Sequence, residues 1–380
     1  MINKTEQHLD LPSPAPGTTR SLRVLRYGSD NDGPKAYLQA ALHANELPGA
    51  LTLHHLEVLL DQYAVDGKIS GQIVLVPVAN PIGLTQFIQG THLGRSELTS
   101  GKNFNRHHAN LTAAVNADIG ASLGTDAATN VKQVRAALHR AIDAISPKDE
   151  GEHLRLSLLR LGIDADYCID LHCASEALMH VYTSPDAWPQ LAPLATQMCA
   201  QAVMLELRSG GDPFDEALSA PWTELATLHP QAAIPFSCNS CTLELRGHSD
   251  VNDELAHVDA LNIAKFLMRV GCIDDGPGEL PSACCDATPL SGVKYVRSTG
   301  AGVIAFMAEL GTQIEAGQRV ATVVDCYASG NDARTDYFAP SSGKLYARNR
   351  GRFAQLGTLL VTIAGDAPDP NRAGTLMLSD

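Results

Sequence analysis

The chain has 380 residues, which is long enough for a large hydrophobic core and for two domains. Its hydrophobic content of 44% and charged content of 18% are typical of globular proteins. A net charge of −14 disfavours nucleic acid and anionic membranes as partners, and no apolar run reaches the roughly 18 residues of a membrane-spanning helix.

The order of polar, apolar and Gly/Pro-rich segments predicts an α/β protein followed by a β-rich part. Apolar strands that alternate with helical runs favour an α/β sheet, and short strands with many turns follow them. In chain order we predict a loose polar arm (1–20), an α/β domain (21–275) with a helix-rich insertion (110–161), a linker (276–288), a β-rich domain (289–366) and a tail (367–380).

His43 and Glu46 form an H-x-x-E pattern at the end of the first strongly apolar strand, predicted over 36–42. A turn at Pro48 and Gly49 and an apolar helical run to Leu60 follow this pattern. An imidazole and a carboxylate at this spacing can bind one Zn²⁺ from the same side of the chain. A second copy, at His54 and Glu57, lies inside the helical run, where a histidine is usually a surface residue.

A loop with an amide and two arginines follows the next predicted strand, over 72–78. Asn80-Pro81 marks the turn, and Arg95 and then Asn105-Arg106 follow it. Arginine binds a planar carboxylate through two parallel hydrogen bonds, so this loop suits recognition of a carboxylate. Taken singly, each arginine is more typical of a solvated surface.

The third candidate ligand is His172, at the end of a strand predicted over 166–173. Asp170 and His172 alternate and therefore point to the same face of that strand. A carboxylate beside a metal-binding histidine can fix its tautomer. Two histidines and a glutamate at strand ends suit a catalytic zinc site that keeps one position open.

Glu244 interrupts an apolar strand predicted over 241–247. A buried carboxylate is costly unless it is paired or functional. Beside a zinc ion it could act as the general base that accepts a proton from water. The alternative is that Glu244 pairs with Arg246 or with another cation.

This order of motifs resembles the zinc carboxypeptidase superfamily, and more narrowly the succinylglutamate desuccinylase and aspartoacylase family. The resemblance implies a mixed-sheet, carboxypeptidase-like catalytic domain and one Zn²⁺ per chain. By position, it implies zinc ligands at His43, Glu46 and His172, a general base at Glu244, a carboxylate-binding pair at Asn105 and Arg106, and an oxyanion-stabilising arginine at Arg95.

Two departures from the family pattern concern the metal and the substrate. The family usually has an aspartate two residues before its Asn-Arg pair, where it hydrogen-bonds a zinc-ligating histidine, and this chain has Asn103. Members that act on acidic substrates add an arginine upstream of the catalytic glutamate. Residues 234–238 contain no cation, and the nearest upstream arginine is Arg208. A dicarboxylic substrate is therefore in doubt.

The β-rich part resembles a lipoyl-like barrel or sandwich. A swinging-arm carrier would need a lysine at the hairpin tip, and residues 325–338 contain none. We therefore expect a structural domain that narrows the entrance of the site, as the resemblance also implies.

Together these patterns predict a zinc-dependent amidohydrolase that releases the acyl group from a small acyl amino acid. A metallocarboxypeptidase is the alternative enzyme, and a zinc-binding protein without catalysis is the alternative from another class. Nine scattered cysteines, with Cys238 and Cys241 read as structural, and a start without a signal peptide's apolar stretch predict a cytoplasmic location. We expect no nucleic-acid or membrane partner, and a homo-oligomer stays open.

Overall fold

The computed structural model describes residues 3–29, 33–365 and 367–369. Its helices are α1 (Pro48–Val65), α2 (Thr112–Ile119), α3 (Ala127–Asp143), α4 (Glu150–Gly162), α5 (Trp188–Gln197), α6 (Phe214–Leu228) and α7 (Asp253–Arg269). The first twelve strands are β1 (Lys4–Asp10), β2 (Ser21–Tyr27), β3 (Lys35–Ala40), β4 (Gln72–Val76), β5 (Phe87–Ile88), β6 (Thr91–His92), β7 (Tyr167–Ala174), β8 (Glu176–Ala177), β9 (His180–Thr183), β10 (Ala202–Leu205), β11 (Asn239–Gly247) and β12 (Ala287–Pro289). The remaining strands are β13 (Lys294–Arg297), β14 (Gly302–Phe306), β15 (Gln313–Ile314), β16 (Arg319–Val324), β17 (Arg334–Phe338), β18 (Gly343–Arg348), β19 (Phe353–Ala354) and β20 (Leu359–Ala364).

A mixed nine-stranded sheet is the framework of the site. Its strand order is β1-β2-β4-β3-β7-β11-β9-β10-β12. The four central strands β4, β3, β7 and β11 run parallel, so their carboxyl ends meet at one edge. This mixed α/β architecture confirms the fold class expected from alternating strands and helices.

Apolar side chains cover both faces of this sheet. One buried cluster joins the sheet to α1, α5 and α7, and a second joins its other face to α2, α3, α4 and α6. Strands β3 and β4 are buried almost throughout, which explains their nearly continuous apolar sequences. Helix α1 packs so closely on the sheet that a Cβ at Gly49 would lie 2.8 Å from Leu171 Cβ. The helix start, and the loop before it, are thereby fixed against β7.

Two further sheets follow the α/β region. One contains β13, β20, β18 and β15 together with β8, and the other contains β17, β16, β14 and β19. A single buried cluster takes side chains from both of these sheets. Strand β8 comes from the α/β region and pairs with β18, with Ala177 opposite Ala347. Main-chain hydrogen bonds therefore join the C-terminal sheets to the region that carries the metal-ligand candidates.

The N-terminal segment differs from the loose arm expected over 1–20. Lys4–Asp10 is the edge strand of the large sheet and pairs antiparallel with β2. Lys4 Nζ lies 2.7 Å from Asp61 Oδ1 and 3.1 Å from Glu57 Oε1, both on α1. A mostly polar and exposed edge strand has a loop-like composition, and here pairing with β2 and ion pairs with α1 hold it in place. The linker expected over 276–288 likewise ends inside β12, and the predicted tail lies mostly outside the described residues.

Two cysteines are not free thiols, although the cytoplasmic location predicted from the sequence favours reduced cysteines. Cys199 and Cys284 form a disulfide with their Cα atoms 5.5 Å apart, although 85 positions separate them. Spacing could not reveal this pair, because the pairing of β10 with β12 brings the two segments together. Cys238 and Cys241 are free and buried. In the part of the chain that is described, no helix has the length and apolarity needed to cross a membrane.

Candidate active site

The loop after β3 places two candidate ligands at the carboxyl edge of the sheet. Ala41 adopts a positive φ of 55°, which turns the chain as the strand ends. Asn80 braces this loop: its Nδ2 donates to Leu42 O at 2.8 Å, and its Oδ1 accepts from Gly83 N at 2.8 Å. The Asn-Pro-x-Gly motif therefore supports the ligand loop in addition to forming a turn.

His43, Glu46 and His172 converge in a buried group. Glu46 lies between the two rings, with Oε1 3.0 Å from His43 Nδ1 and Oε2 2.8 Å from His172 Nδ1. One ligand atom from each residue lies within 4.8 Å of the others. Tetrahedral ligands at about 2.0–2.2 Å from one Zn²⁺ are roughly 3–4 Å apart, so a small inward movement would suffice. His54 is exposed on α1 and takes no part.

The outer nitrogen of each ring has a hydrogen-bond acceptor. Asn103 Oδ1 lies 2.8 Å from His43 Nε2 and also accepts from Asn105 N at 2.9 Å, which identifies this atom as the oxygen. Asp170 Oδ2 lies 2.9 Å from His172 Nε2. With a proton held at Nε2 of each ring, Nδ1 is the nitrogen that faces Glu46 and that would bind a metal. This donor set fits a divalent cation, and Asn103 and Asp170 are the partners that would orient its ligands.

Charges in this group also favour a cation. The opposed effects of burial and of the two imidazoles leave the pKa of Glu46 well below its usual value, so this carboxylate is anionic. Burial lowers the pKa of His43 to about 4 and keeps this ring neutral. Against the effect of burial, Asp170 and Glu46 hold the pKa of His172 well above its usual value. A metal would displace that proton on binding.

The Arg95 guanidinium lies close to both His43 and Glu46. Its Nη1 is 3.1 Å from His43 Nδ1 and 3.2 Å from Glu46 Oε1. The side chain is 43% exposed and lines the cavity described below. A positive charge is thus already favoured at the edge of the ligand group.

Glu244 lies on β11 directly opposite His172 on β7. Its Oε2 is buried and has no hydrogen-bond partner among the residues described. Burial, with a further contribution from the charge of Glu46, raises the pKa of Glu244 to about 8. Arg246 instead binds Asp259, with Nη1 3.2 Å from Oδ1. Glu244 therefore does not pair with Arg246, and its Oε2 accepts no hydrogen bond from another described cation.

Asn105 and Arg106 both line the cavity, but they have different surroundings. Asn105 Oδ1 accepts from Phe214 N at 2.8 Å and so holds the first turn of α6. Arg106 is 5% exposed, and its Nη1 donates to Asn105 O at 2.7 Å. Gly211 has a φ of +78°, and a Cβ there would lie 2.6 Å from Arg106 Cδ. Glycine at this position therefore leaves space for the arginine.

A cavity of about 270 Å³ brings these residues together. Its walls come from the α/β region and from the C-terminal sheets, including Tyr346 on β18. Sequence reasoning missed several lining residues, namely Tyr182, Glu206, Asp215, Glu216, Tyr295 and Tyr346. For Asp215 and Glu216 a signal existed, because two adjacent carboxylates interrupt the apolar start of a helix.

Comparisons with known proteins agree with this geometry. Residues 32–141 match the succinylglutamate desuccinylase/aspartoacylase catalytic domain. A Shewanella frigidimarina protein named for that family has 23% identity and a TM-score of 0.82, with 96% of this chain and 98% of that chain covered. A Shewanella amazonensis protein, also named for the family, has 24% identity and a TM-score of 0.82, with 95% and 98% covered. The ectoine utilization protein of Ruegeria pomeroyi has 17% identity and a TM-score of 0.63, with 96% and 95% covered. No curated protein sequence matches the chain.

The fold and site define a mixed α/β protein with a three-residue, metal-compatible group at the carboxyl edge of its sheet. The resemblance expected from the sequence is confirmed over residues 32–141, which match the succinylglutamate desuccinylase/aspartoacylase catalytic domain, and the fold is similar to that of proteins named for this family. The matched segment contains His43, Glu46, Arg95 and Arg106, whereas His172 and Glu244 lie beyond it.

Proposed function

We propose that the protein is a zinc-dependent amidohydrolase that releases the acyl group from a small N-acyl amino acid. The observation that carries this proposal is the position of Glu244. Its unpartnered, buried carboxylate oxygen lies beside the group of His43, Glu46 and His172 in one cavity.

Zinc would be held by Nδ1 of His43, Nδ1 of His172 and the carboxylate of Glu46. Such an ion lowers the pKa of water toward neutrality and polarises a carbonyl group. The other roles belong to this chain's own side chains. Glu244 Oε2 would accept a proton from the attacking water and deliver it to the nitrogen of the leaving amine.

Two arginines would orient the substrate and stabilise charge. Arg95, over the edge of the ligand group, would donate to the oxyanion as it develops, an interaction often worth about 3–4 kcal/mol. Arg106, buried and rigidly placed, would bind the α-carboxylate of the amino acid. Asn105 would support this contact by holding the loop and the start of α6.

The size of the cavity supports a small substrate. Its volume of about 270 Å³ is just below the roughly 300–1,000 Å³ of most small-molecule sites. Residues of the C-terminal sheets close one side of it. An acyl amino acid fits this space better than an extended peptide, which favours the deacylase over the metallocarboxypeptidase.

An activity screen with metal analysis tests the proposal. The substrates are N-acetyl and N-succinyl amino acids and N-blocked dipeptides, and zinc is measured for each variant. We expect short acyl amino acids to be preferred, and Glu244→Gln to retain about one zinc per chain while kcat falls at least 10²-fold. His43→Ala should lose the zinc, whereas the control His54→Ala, at the second H-x-x-E, should keep both zinc and activity.

Three results would contradict the proposal. Near-normal turnover by Glu244→Gln would remove this residue from the chemistry. Rates that rise with peptide length would identify a carboxypeptidase. A zinc-loaded protein that hydrolyses none of these substrates would support a binding protein without catalysis.

A further inference from the structure

We propose that the same cavity contains a recognition site for an ammonium group, built by Glu216 together with Asp215 and Glu206. The site would select acyl amino acids whose side chain ends in a positively charged amino group. This inference rests on the proposed function for the identity of the substrate, but its central test is a binding measurement that needs no turnover.

One oxygen of Glu216 has no protein partner. The residue lies in the first turn of α6, is 8% exposed and lines the cavity. Its Oε1 accepts from Ser209 N at 2.8 Å and from the Ser209 hydroxyl. Its Oε2 is buried without a hydrogen bond to any described residue. Since a buried carboxylate oxygen without a donor is costly, this atom indicates a missing donor from a ligand.

A purely structural role of Glu216 explains the hydrogen bonds to Oε1 but not the unpartnered Oε2. Acidic residues in the first turn of a helix interact favourably with its N-terminal dipole. The bonds from Ser209 to Oε1 also hold the preceding loop in place. Neither effect uses Oε2, and neither requires Asp215 and Glu206 to line the same cavity.

Two arginines around this part of the molecule bind other carboxylates. Arg208 binds Glu224 Oε1 through Nε at 3.0 Å and lies 3.4 Å from Asp212. Arg348, which also lines the cavity, binds Glu176 Oε1 through Nε at 2.9 Å. The ammonium group of a ligand carries three hydrogen-bond donors and a positive charge. It would therefore donate to Glu216 Oε2 and balance the negative charge of the acidic residues.

The electrostatics agree with the geometry. Burial, followed by the charge of Asp170, raises the pKa of Asp215 to about 6. Burial and then the neighbouring Asp215 raise the pKa of Glu216 to about 7. The positive charges around these carboxylates, Arg208 and His172, do not offset the effect of burial on their pKa values, and an ammonium group would add a further positive charge.

Two amino acids of equal carbon-chain length test the site directly. Ornithine and norvaline differ only in the terminal ammonium group, and their binding to the zinc-loaded protein can be measured by calorimetry. We expect ornithine to bind at least tenfold more tightly to the wild type. Glu216→Gln should reduce this preference to less than threefold, and Asp215→Asn should weaken it. The control Glu279→Gln, at an exposed position outside the cavity lining, should preserve it.

Hydrolysis of N-acetylornithine and N-acetylnorvaline separates this inference from the proposed function. Equal binding of the two amino acids by the wild type, or an unchanged preference in folded Glu216→Gln, overturns the ammonium site. Hydrolysis of both acetyl compounds without preference leaves the amidohydrolase standing and also overturns the site. Ornithine binding that depends on Glu216, without hydrolysis of either compound, supports the site and contradicts the amidohydrolase.

Discussion

The amide of Asn103 is the hydrogen-bond partner of His43, one of the three candidate metal ligands. A carboxylate at this position would share its charge with His43 through the Nε2 hydrogen bond, whereas an amide offers only a dipole. The structure places Asn103 Oδ1 at 2.8 Å from Nε2, so the substitution noted in the sequence acts directly on a ligand. This makes His43 a less basic ligand than it would be beside aspartate.

Asn103→Asp should therefore tighten zinc binding about tenfold, in line with the 10- to 100-fold effects of such partners. The new carboxylate can accept the same two hydrogen bonds, from His43 Nε2 and Asn105 N. Competition with a chromogenic chelator measures the dissociation constant. Asn110→Asp, at an exposed position, adds the same charge as a control. Unchanged or weaker zinc binding in Asn103→Asp would contradict this account.

At the scale of elements, helix α6 connects the loop that contains Arg106 to the acidic residues Asp215 and Glu216, which line the cavity. Asn105 Oδ1 accepts from Phe214 N, one of the backbone donors at a helix start that lack an intrahelical partner. The sequence predicted that Asn105 binds substrate, and no finding tests that role. Its side-chain oxygen has a structural partner, and its contribution to catalysis would therefore come through position.

Asn105→Ala should lower the free energy of unfolding by about 1–3 kcal/mol, because it leaves a buried N–H without an acceptor. Urea denaturation measures this change, and kcat/KM should fall in the same variant. Asn252→Ala is the matched control, since Asn252 Oδ1 accepts from Leu255 N at the start of α7, away from the cavity. It should lose stability but not activity. A fully stable Asn105→Ala with a raised KM would instead assign Asn105 to the substrate.

Strands and helices that have a characteristic pattern of apolar and polar residues were predictable from the sequence. The strands before His43 and His172 are apolar runs with polar residues at their ends, and parallel neighbours bring such ends together. Strand β1 was missed because its residues are mostly polar and exposed, so they lack the apolar alternation of a half-buried strand. The cavity wall was missed for a related reason. Tyr346 and Tyr295 line the cavity only through the packing of distant segments, which leaves no local signal in the sequence.

At the scale of the whole molecule, the Cys199–Cys284 disulfide links the end of α5 to the segment before β12. A cross-link over 85 positions restricts the unfolded chain and typically contributes about 2–4 kcal/mol. The disulfide stabilises the region where the large sheet meets the C-terminal sheets, because β12 is followed directly by β13.

Reduction of this bond, or Cys284→Ser, should lower the free energy of unfolding by about 2–4 kcal/mol. Urea denaturation with and without reductant measures the effect. Cys326→Ser is the control, because Cys326 is a free, exposed thiol and its loss should change little. If the wild type were equally stable with reductant and all its thiols reacted with iodoacetamide, the bond would not exist in solution.

The hydrogen bonds between β8 and β18 also imply an order of events during synthesis. A chain leaving the ribosome acquires His43, Glu46 and His172 long before it contains Tyr346, and domains generally form from the N-terminus onward. The capacity to bind metal can thus arise in a nascent chain whose cavity still lacks one side. Selectivity for the substrate is established last, when β18 pairs with β8 and closes the open side of the cavity. A chain cut short after α7 would then keep the three candidate metal ligands but have an open, unselective cavity.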